Sequence, residues 1–308
     1  MKKFFCVNVS NYNSSYNFEV IRPSSIKNPR NESVMFVQEE YVDDAIKKLK
    51  RINHCLIFWP LELECKIPLS LKKDNVFVLS NDAHIDFCRF FKDNNITNIQ
   101  KTTSFKLCNG AFIAKKAKLK EGVVIMPGAV IYNEVTIGRN VYIGSGVKII
   151  GEAIIGDNVV IKENTVIGAD GLTTDREEDG TALTMPQFGK VVIEDNVQIG
   201  SNCVIARGAI DETRIRKGAK IDNMCFISHN VDIGENTFVV GETIMFGSSS
   251  TGKNCIISGN STVMNKVNIG TGSILGAGAV ATKSIPNNCV AIGCPAKVLR
   301  EVKPKEKI

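Results

Sequence analysis

Histidine is the scarcest chemistry-bearing residue in this chain. Its 308 residues hold three, His54, His84 and His229, so a metal site built on several imidazoles has little to draw on. There is a single tryptophan, Trp59, and no stripe of Lys or Arg interleaved with aromatics, which sets nucleic-acid binding aside. The 10 cysteines include no Cys-x-x-Cys pair, so zinc-ribbon and thioredoxin-like readings lose their support. No apolar run reaches the length of a membrane span. Met1-Lys2-Lys3-Phe4-Phe5-Cys6 begins with basic residues, but Asn8, Ser10, Asn11 and Asn13 interrupt the apolar stretch before it could serve as a signal core. Scattered cysteines in a chain without an export signal suggest reduced thiols, and a cytoplasmic location is the expectation. The net charge of +6 is mild. It suits an anionic small substrate or cofactor, such as a nucleotide.

What is present divides in two. Residues 1–108 read as a small α/β domain. Val42, Ala45, Ile46 and Leu49 recur at helical spacing within Tyr41–Arg51. Leu56–Trp59 and Val76–Leu79 read as short buried strands, and Asn81 or Asp82 is placed to cap a helix through Ile85, Phe87, Cys88 and Phe91.

From about residue 111 a six-residue period takes over. Stepping from Ile113 gives Leu119, Ile125, Ile131, Ile137, Ile143, Ile149, Ile155, Ile161 and Ile167. The series resumes at Ile193, Ile199 and Ile205, and again from Ile215 to Leu275, broken only by Thr251. Two residues before each of these stands Ala, Val, Thr, Cys or Ser. A large inward residue paired with a small one suits a narrow triangular prism. Three residues after the large one, Asn or Gly recurs, as at Gly122, Asn140, Asn158, Asn196, Gly218 and Asn254. These types accept left-handed backbone most readily, which a tight corner needs. Three repeats close one coil, so residues 109–285 make a parallel β-helix of about eight coils, stacked at roughly 4.8 Å, with residues 286–308 as a C-terminal extension.

Two interruptions break the period. Residues 168–192 must leave the prism as a loop, and long excursions from rigid scaffolds often carry function. The second, around Arg207 to Arg214, inserts only a few residues.

His229 is the one histidine in the repeat region, two residues past the inward Ile227 and therefore at an outward corner. A lone corner histidine is ordinarily a solvated turn residue. It is also the side chain best suited to take a proton near neutral pH. One coil onward stands Gly247, whose bare backbone N–H suits an oxyanion donor and which is otherwise a plain corner glycine.

The repeat resembles the hexapeptide-repeat acyltransferases, whose helix is left-handed. That handedness is implied by the resemblance, since parallel crossovers are generally right-handed. The carbonic anhydrases on the same rod need three zinc-binding histidines, and the single one here excludes that branch; no metal is expected. The stretch from Pro186 to Gly259 is similar to the UDP-3-O-acyl-glucosamine N-acyltransferase family of lipid A synthesis. The pieces are Pro186-Gln187-Phe188-Gly189-Lys190-Val191, Arg207-Gly208-Ala209 with Asp211 and Thr213, Ile221-Asp222-Asn223, and His229-Asn230-Val231 with Ile233–Thr237. The resemblance implies that His229 is the general base, Gly247 the oxyanion donor, and Asn223 and Asn230 contacts to the sugar or the base. Pro29–Val37 followed by Tyr41 resembles that family's uridine-binding segment and implies that Phe36 and Tyr41 sandwich the uracil. As strand core and helix entry, the same two residues need no ligand.

Two departures are plain. Lys266 stands where the family carries a second histidine near the acyl donor. The ending Ala291–Arg300 resembles the sugar and serine acetyltransferases that use acetyl-CoA. It implies that Gly276, Ala277 and Gly278 form a smooth wall for the pantetheine arm and that Lys283, Lys297 and Arg300 meet phosphates; a basic tail is equally often just solvated. The expectation is an N-acyltransferase that moves an acyl group, acetyl in the first instance, from a thioester to the amine of a nucleotide-linked amino sugar. It would act as a homotrimer with sites between subunits. The alternatives are the lipid A enzyme itself, using acyl carrier protein, and a non-catalytic β-helix scaffold.

Overall fold

The computed structural model describes residues 2–98, 104–301 and 303. They form two compact units, Met1–Ile99 with Leu172–Phe188, and Gln100–Gly171 with Gly189–Ile308.

In the first unit four short parallel strands lie side by side in chain order, Arg22–Pro23, Ser33–Phe36, Leu56–Pro60 and Val76–Ser80. Leu56–Pro60 is buried at every position, as expected of a strand covered on both faces. Helix α1 (Val42–Leu49) buries Val42, Ala45 and Leu49, the stripe set by its periodicity. A short helix α2 (Leu69–Lys72) follows. Helix α3 (Ala83–Asp93) is capped by Asp82, whose carboxylate accepts from the N–H groups of His84 and Ile85 at 3.0 and 3.1 Å.

The long interruption is not an open loop. Thr174–Arg176 pairs antiparallel with Ala182–Thr184, and this hairpin stands with the first unit. Its ties to α3 are polar. Asp175 lies 2.6 Å from His84 Nδ1, and Glu177 accepts from Arg89 Nε at 2.8 Å. Beyond the hairpin, Phe188 seats against Phe4, Phe5 and Phe91 with ring centroids 5.2, 6.0 and 5.4 Å apart. Sequence patterning misses this because the buried Leu183, Met185 and Phe188 of the excursion follow no regular period.

The second unit is the rod. Its strands fall on three faces visited in turn, and each pairs in parallel with the strand one coil away. Among the described residues the second face has eight strands and so counts eight full coils. The first face also carries Phe105–Cys108, antiparallel to Ala111–Ala114, so a segment expected with the N-terminal domain stands with the rod. Cys289–Ile292 extends the third face in parallel, and Lys297–Glu301 closes it as an antiparallel edge.

From Ile131 onward the large inward residues are all buried, including Thr251. Each buried Ile contributes roughly 1.5–3 kcal/mol. Leu119, in the first coil, stays 39% exposed, because no further coil closes over that end of the stack. The small inward residues bring hydrogen bonds as well as space. Thr165 Oγ1 donates to Gly200 O at 2.6 Å, Thr237 Oγ1 to Gly252 O at 3.0 Å, and Ser273 Oγ to Pro286 O at 2.6 Å. Corner carbonyls without a strand partner are thereby satisfied.

The corners differ in character. At the second corner, from second face to third, Gly122, Asn140, Asn158, Asn196, Gly218, Asn236, Asn254, Gly272 and Asn288 all have positive φ. At the first corner, from first face to second, the equivalent positions include Lys116, Glu134 and Glu152, then Asn230, Ser248 and Lys266, the last three left-handed. Both interruptions leave from this first corner.

Candidate active site

His229 sits on the first corner, and the coil register places Ile227 directly beside Met245. Gly247 is therefore its neighbour one coil up. A side chain at Gly247 would begin 2.6 Å from both Cε1 and Nε2 of the imidazole. Gly171, at the root of the long excursion, closes the other side, where a Cβ would lie 2.9 Å from His229 Cβ and 3.0 Å from Cδ2. The imidazole is thus held between two glycines, at neither of which a methyl group fits unless the ring is displaced. Gly171 was not singled out by sequence. Its signal was a glycine at the exact point where the period breaks.

The ring's orientation follows from one hydrogen bond. Ala209 N–H donates to Asn230 Oδ1 at 3.0 Å, which fixes that amide oxygen as the atom facing inward. The same Oδ1 lies 3.1 Å from His229 Nδ1. An amide oxygen only accepts, so Nδ1 carries the hydrogen and Nε2 keeps its lone pair. Asn230 is pinned in turn by its own N–H, which donates to Thr213 Oγ1 at 2.9 Å. Gly247 N–H has no hydrogen-bond partner among the described residues, while its carbonyl accepts from Lys266 N at 3.1 Å. A lone pair and an open donor N–H therefore share one half-buried corner. Such a pair can accept a proton and stabilise a developing oxyanion.

Below the imidazole lie Arg207 and Asp170. Arg207 is 6% exposed, with Nε 2.8 Å from Asp170 Oδ1. The N–H does not point at the oxygen, so the contact is an ion pair rather than a hydrogen bond. Burial holds the guanidinium below its ordinary range against the pull of Asp170, and burial likewise pushes the Asp170 carboxyl up against the pull of Arg207.

Lys266 and Lys283 stand on the same corner as His229, in the coils above. Asn223, Gly276, Ala277 and Gly278 lie on the third corner, from third face to first, and within one chain they are not brought to His229. Asn223 has a local task, its Oδ1 accepting from Ser201 N–H at 2.7 Å. Gly278 has open space where a Cβ would be, whereas a side chain at Gly276 would meet Ile292. Lys297 is exposed on the edge strand of the third face.

In the first unit, Phe36 is half-buried against His84 and Phe87, with centroids 5.0 and 4.9 Å away. Tyr41 is 46% exposed at the entry to α1. The residues between them help line a cleft of about 240 Å³, together with Pro60 and Asn81–His84. The cleft opens at the carboxyl ends of the parallel strands, where open α/β sheets commonly bind ligands.

Comparison with known proteins bears on the rod. The family model described as bacterial transferase hexapeptide (six repeats) matches residues 116–151 and 134–169. The solved UDP-N-acetylglucosamine acyltransferase of Francisella novicida superposes with a TM-score of 0.59 at 24% identity, covering 66% of this chain and 72% of that one. The enzyme of the same name from Bacteroides fragilis gives 0.56 at 25% identity, over 63% and 73%. The rod is a hexapeptide-repeat left-handed β-helix. In sequence, this β-helix chain is 36% identical over 118 residues to UDP-3-O-acylglucosamine N-acyltransferase 2 of Sulfurimonas denitrificans, covering 38% of this chain and 37% of the relative. It is 46% identical over 79 residues to a UDP-3-O-acylglucosamine N-acyltransferase of Francisella tularensis subsp. holarctica, covering 26% and 23%. The chain thus matches well under half the length of these relatives. No helix among the described residues is long and apolar enough to cross a membrane.

Proposed function

We propose that this protein transfers an acyl group from a thioester to the amine of a nucleotide-linked amino sugar, with His229 as general base. The observation that carries the reading is the imidazole between Gly171 and Gly247, with Nδ1 committed to Asn230 and Nε2 beside an open N–H. The neutral amine attacks the thioester carbonyl as Nε2 takes its proton. The oxyanion of the tetrahedral intermediate forms against Gly247 N–H. Collapse then breaks the C–S bond, and the thiolate leaves with the proton from Nε2. The relatives' names support this substrate class.

The cleft of the first unit is assigned to the nucleotide base, with Phe36 and Tyr41 flanking it. Acetyl-CoA is the first donor considered, with Lys266, Gly276, Ala277, Gly278, Lys283 and Lys297 along its path. Because the third corner stands apart from His229 within one chain, that path draws on a neighbouring copy, and a homotrimer is proposed. Exterior chemistry supports this. The second face carries paired charges, Arg214 with Glu194 and Arg216 with Asp232, and exposes Leu119 and Ile154 toward its first coils, while the first and third faces expose Phe226, Ile244, Val124 and Val240. First face on third face is a head-to-tail contact, which closes as a three-membered ring when each copy is turned by about 120° from the last. A second reading, a longer acyl chain delivered by acyl carrier protein, is favoured by exposed Phe226, Ile244 and Met264 beside the His229 corner.

The test is His229→Ala against a panel of UDP- and dTDP-linked amino sugars with acetyl-CoA and long-chain acyl thioesters. Turnover is expected to fall roughly 10²- to 10⁴-fold. Undiminished turnover removes the general base, and absence of any thioester-dependent transfer by the unaltered chain leaves a scaffold. The donor that supports turnover decides between the two acyl lengths.

A further inference from the structure

The short insertion after Ile205 holds Arg207-Gly208-Ala209, a motif that the chemistry above leaves without a task. Its three consecutive residues each tie a different segment. Arg207 N–H donates to Ala169 O at 2.9 Å, and its guanidinium pairs with Asp170, which fixes the outgoing root of the long excursion. Gly208 accepts from Gly189 N–H at 3.0 Å and donates to Lys190 O at 3.2 Å, which fixes the returning root. Ala209 donates to Asn230 Oδ1. The register puts Arg207 directly beneath His229, since Ile205 pairs with Ile227. Its side chain runs down past the excursion's coil to Gly151, where a Cβ would come within 2.9 Å of the guanidinium carbon.

Burying a guanidinium is costly unless a charge partner compensates it. Among its carboxylate neighbours, Glu134 and Glu152 on the coils below act on it at longer range, and Asp170 is the one in direct contact. What this guanidinium holds is the segment that ends in Gly171, the lower wall of the imidazole.

We propose that Arg207 is a positioning residue for His229, acting through Asp170 and Gly171 on one side of the ring and through the Gly208-Ala209 backbone and Asn230 on its Nδ1. Arg207 touches neither substrate nor donor. Its effect is to hold the ring in one rotamer and one tautomer, with Nε2 turned to Gly247. Its consequence for turnover rests on the reading of His229 as general base, but its structural content does not.

The experiment reads the imidazole directly. Nitrogen-15 spectra of the full chain contain three histidines, and loss of signals in His229→Gln assigns the one of interest. In the unaltered protein, neutral His229 is expected as a single Nδ1–H tautomer. Arg207→Met is expected to give a mixture of tautomers. Arg207→Lys, which keeps a cation for Asp170, recovers part of the single form. Asp170→Asn, at a half-exposed residue, gives the same mixture and serves if Arg207→Met does not fold. With a working substrate pair, kcat falls about 10- to 100-fold in both while KM stays within about twofold, as a misplaced base predicts. A single unchanged tautomer in folded Arg207→Met and Asp170→Asn overturns the proposal. If the unaltered protein transfers no acyl group, the function proposed above fails while the tautomer result still decides this one.

Discussion

The first and second corners of the rod have the same backbone task and different residues. The second corner is built for stacking. Its left-handed positions are all Asn or Gly, and side chains from neighbouring coils close its N–H groups, as where Asp157 accepts from Arg139 N–H at 2.8 Å and Asp195 from Asp157 N–H at 2.7 Å. The first corner gives up that regularity. It places Ser248 and Lys266 in left-handed conformations that L side chains resist, leaves Gly247 N–H without a partner among the described residues, and accommodates both interruptions of the period. Of these two corners, the one proposed for chemistry is the one where the optimal stacking residue is missing.

The largest expected effect breaks this comparison at two glycines. A Cβ at Gly247 runs into an imidazole that can swing aside, whereas a Cβ at Gly234 on the second corner lies 1.9 Å from the Gly252 carbonyl oxygen, which is backbone. Gly247→Ala is therefore expected to lower turnover about 10²-fold while the thermal midpoint barely moves. Gly234→Ala is expected to cost roughly 1–3 kcal/mol of stability and to lower turnover only through the lost folded fraction. Parallel assays and melting curves of the two variants check it; equal melting losses would erase the distinction between the corners.

Smaller effects sharpen it with opposite signs. Asn196→Ala puts a side chain without a local hydrogen bond into a left-handed position and removes the acceptor for Asn158 Nδ2, for an expected loss of about 1 kcal/mol. Ser248→Gly and Lys266→Gly relieve the same strain and are expected to gain about 0.5–1 kcal/mol each. On the proposed function Lys266→Gly also weakens donor use, seen as a raised KM for the thioester. Stability gained where activity is lost marks a residue kept for its side chain.

The rod was legible because a one-dimensional stack repeats a single packing decision. Each inward Ile or Val is determined by its own coil and the next, so a period of six survives in the sequence. His229 and Gly247 were legible for the same reason, their spacing being one coil. The other half of the site was not. Gly171 meets His229 only because an excursion of unpatterned sequence returns to the same corner, and Ala209 reaches Asn230 only through an inserted turn. Asn223, expected as a ligand contact, also has its Oδ1 accepting from the N–H of Ser201, a bond that cannot be read from residue type. The hairpin within residues 172–188 was hidden because charges hold it together with a few unperiodic apolar side chains, Leu183, Met185 and Phe188. Asp175 and Glu177 look like a solvated acidic run until α3 supplies His84 and Arg89.

That hairpin, rooted in the first corner, gives the mildest test. The second corner stacks on an apolar core with isolated carboxylates such as Asp157 at its rim, whereas the hairpin's ties to α3 rest on titrating groups. The Arg89 guanidinium holds the Glu177 carboxyl below the usual carboxylate range. At Asp175, burial pushes upward, but His84 and the Arg176 N–H outweigh it and the net shift is downward. A carboxyl depressed in the folded state adds stability that is present above its unfolded value of about 4 and disappears as pH falls through the lower folded value. The hairpin is therefore expected to loosen in acid below about pH 4, before the rod does. Pepsin digestion on the acid side should make its first cuts within residues 172–188. Glu177→Gln, which lacks the titrating group, should be cut there more readily near pH 4 and respond less to further acid, by a factor of a few rather than tenfold, because the side chains involved are partly solvated. First cuts inside the coils instead would place the weak point in the stack and not at the excursion that leaves it.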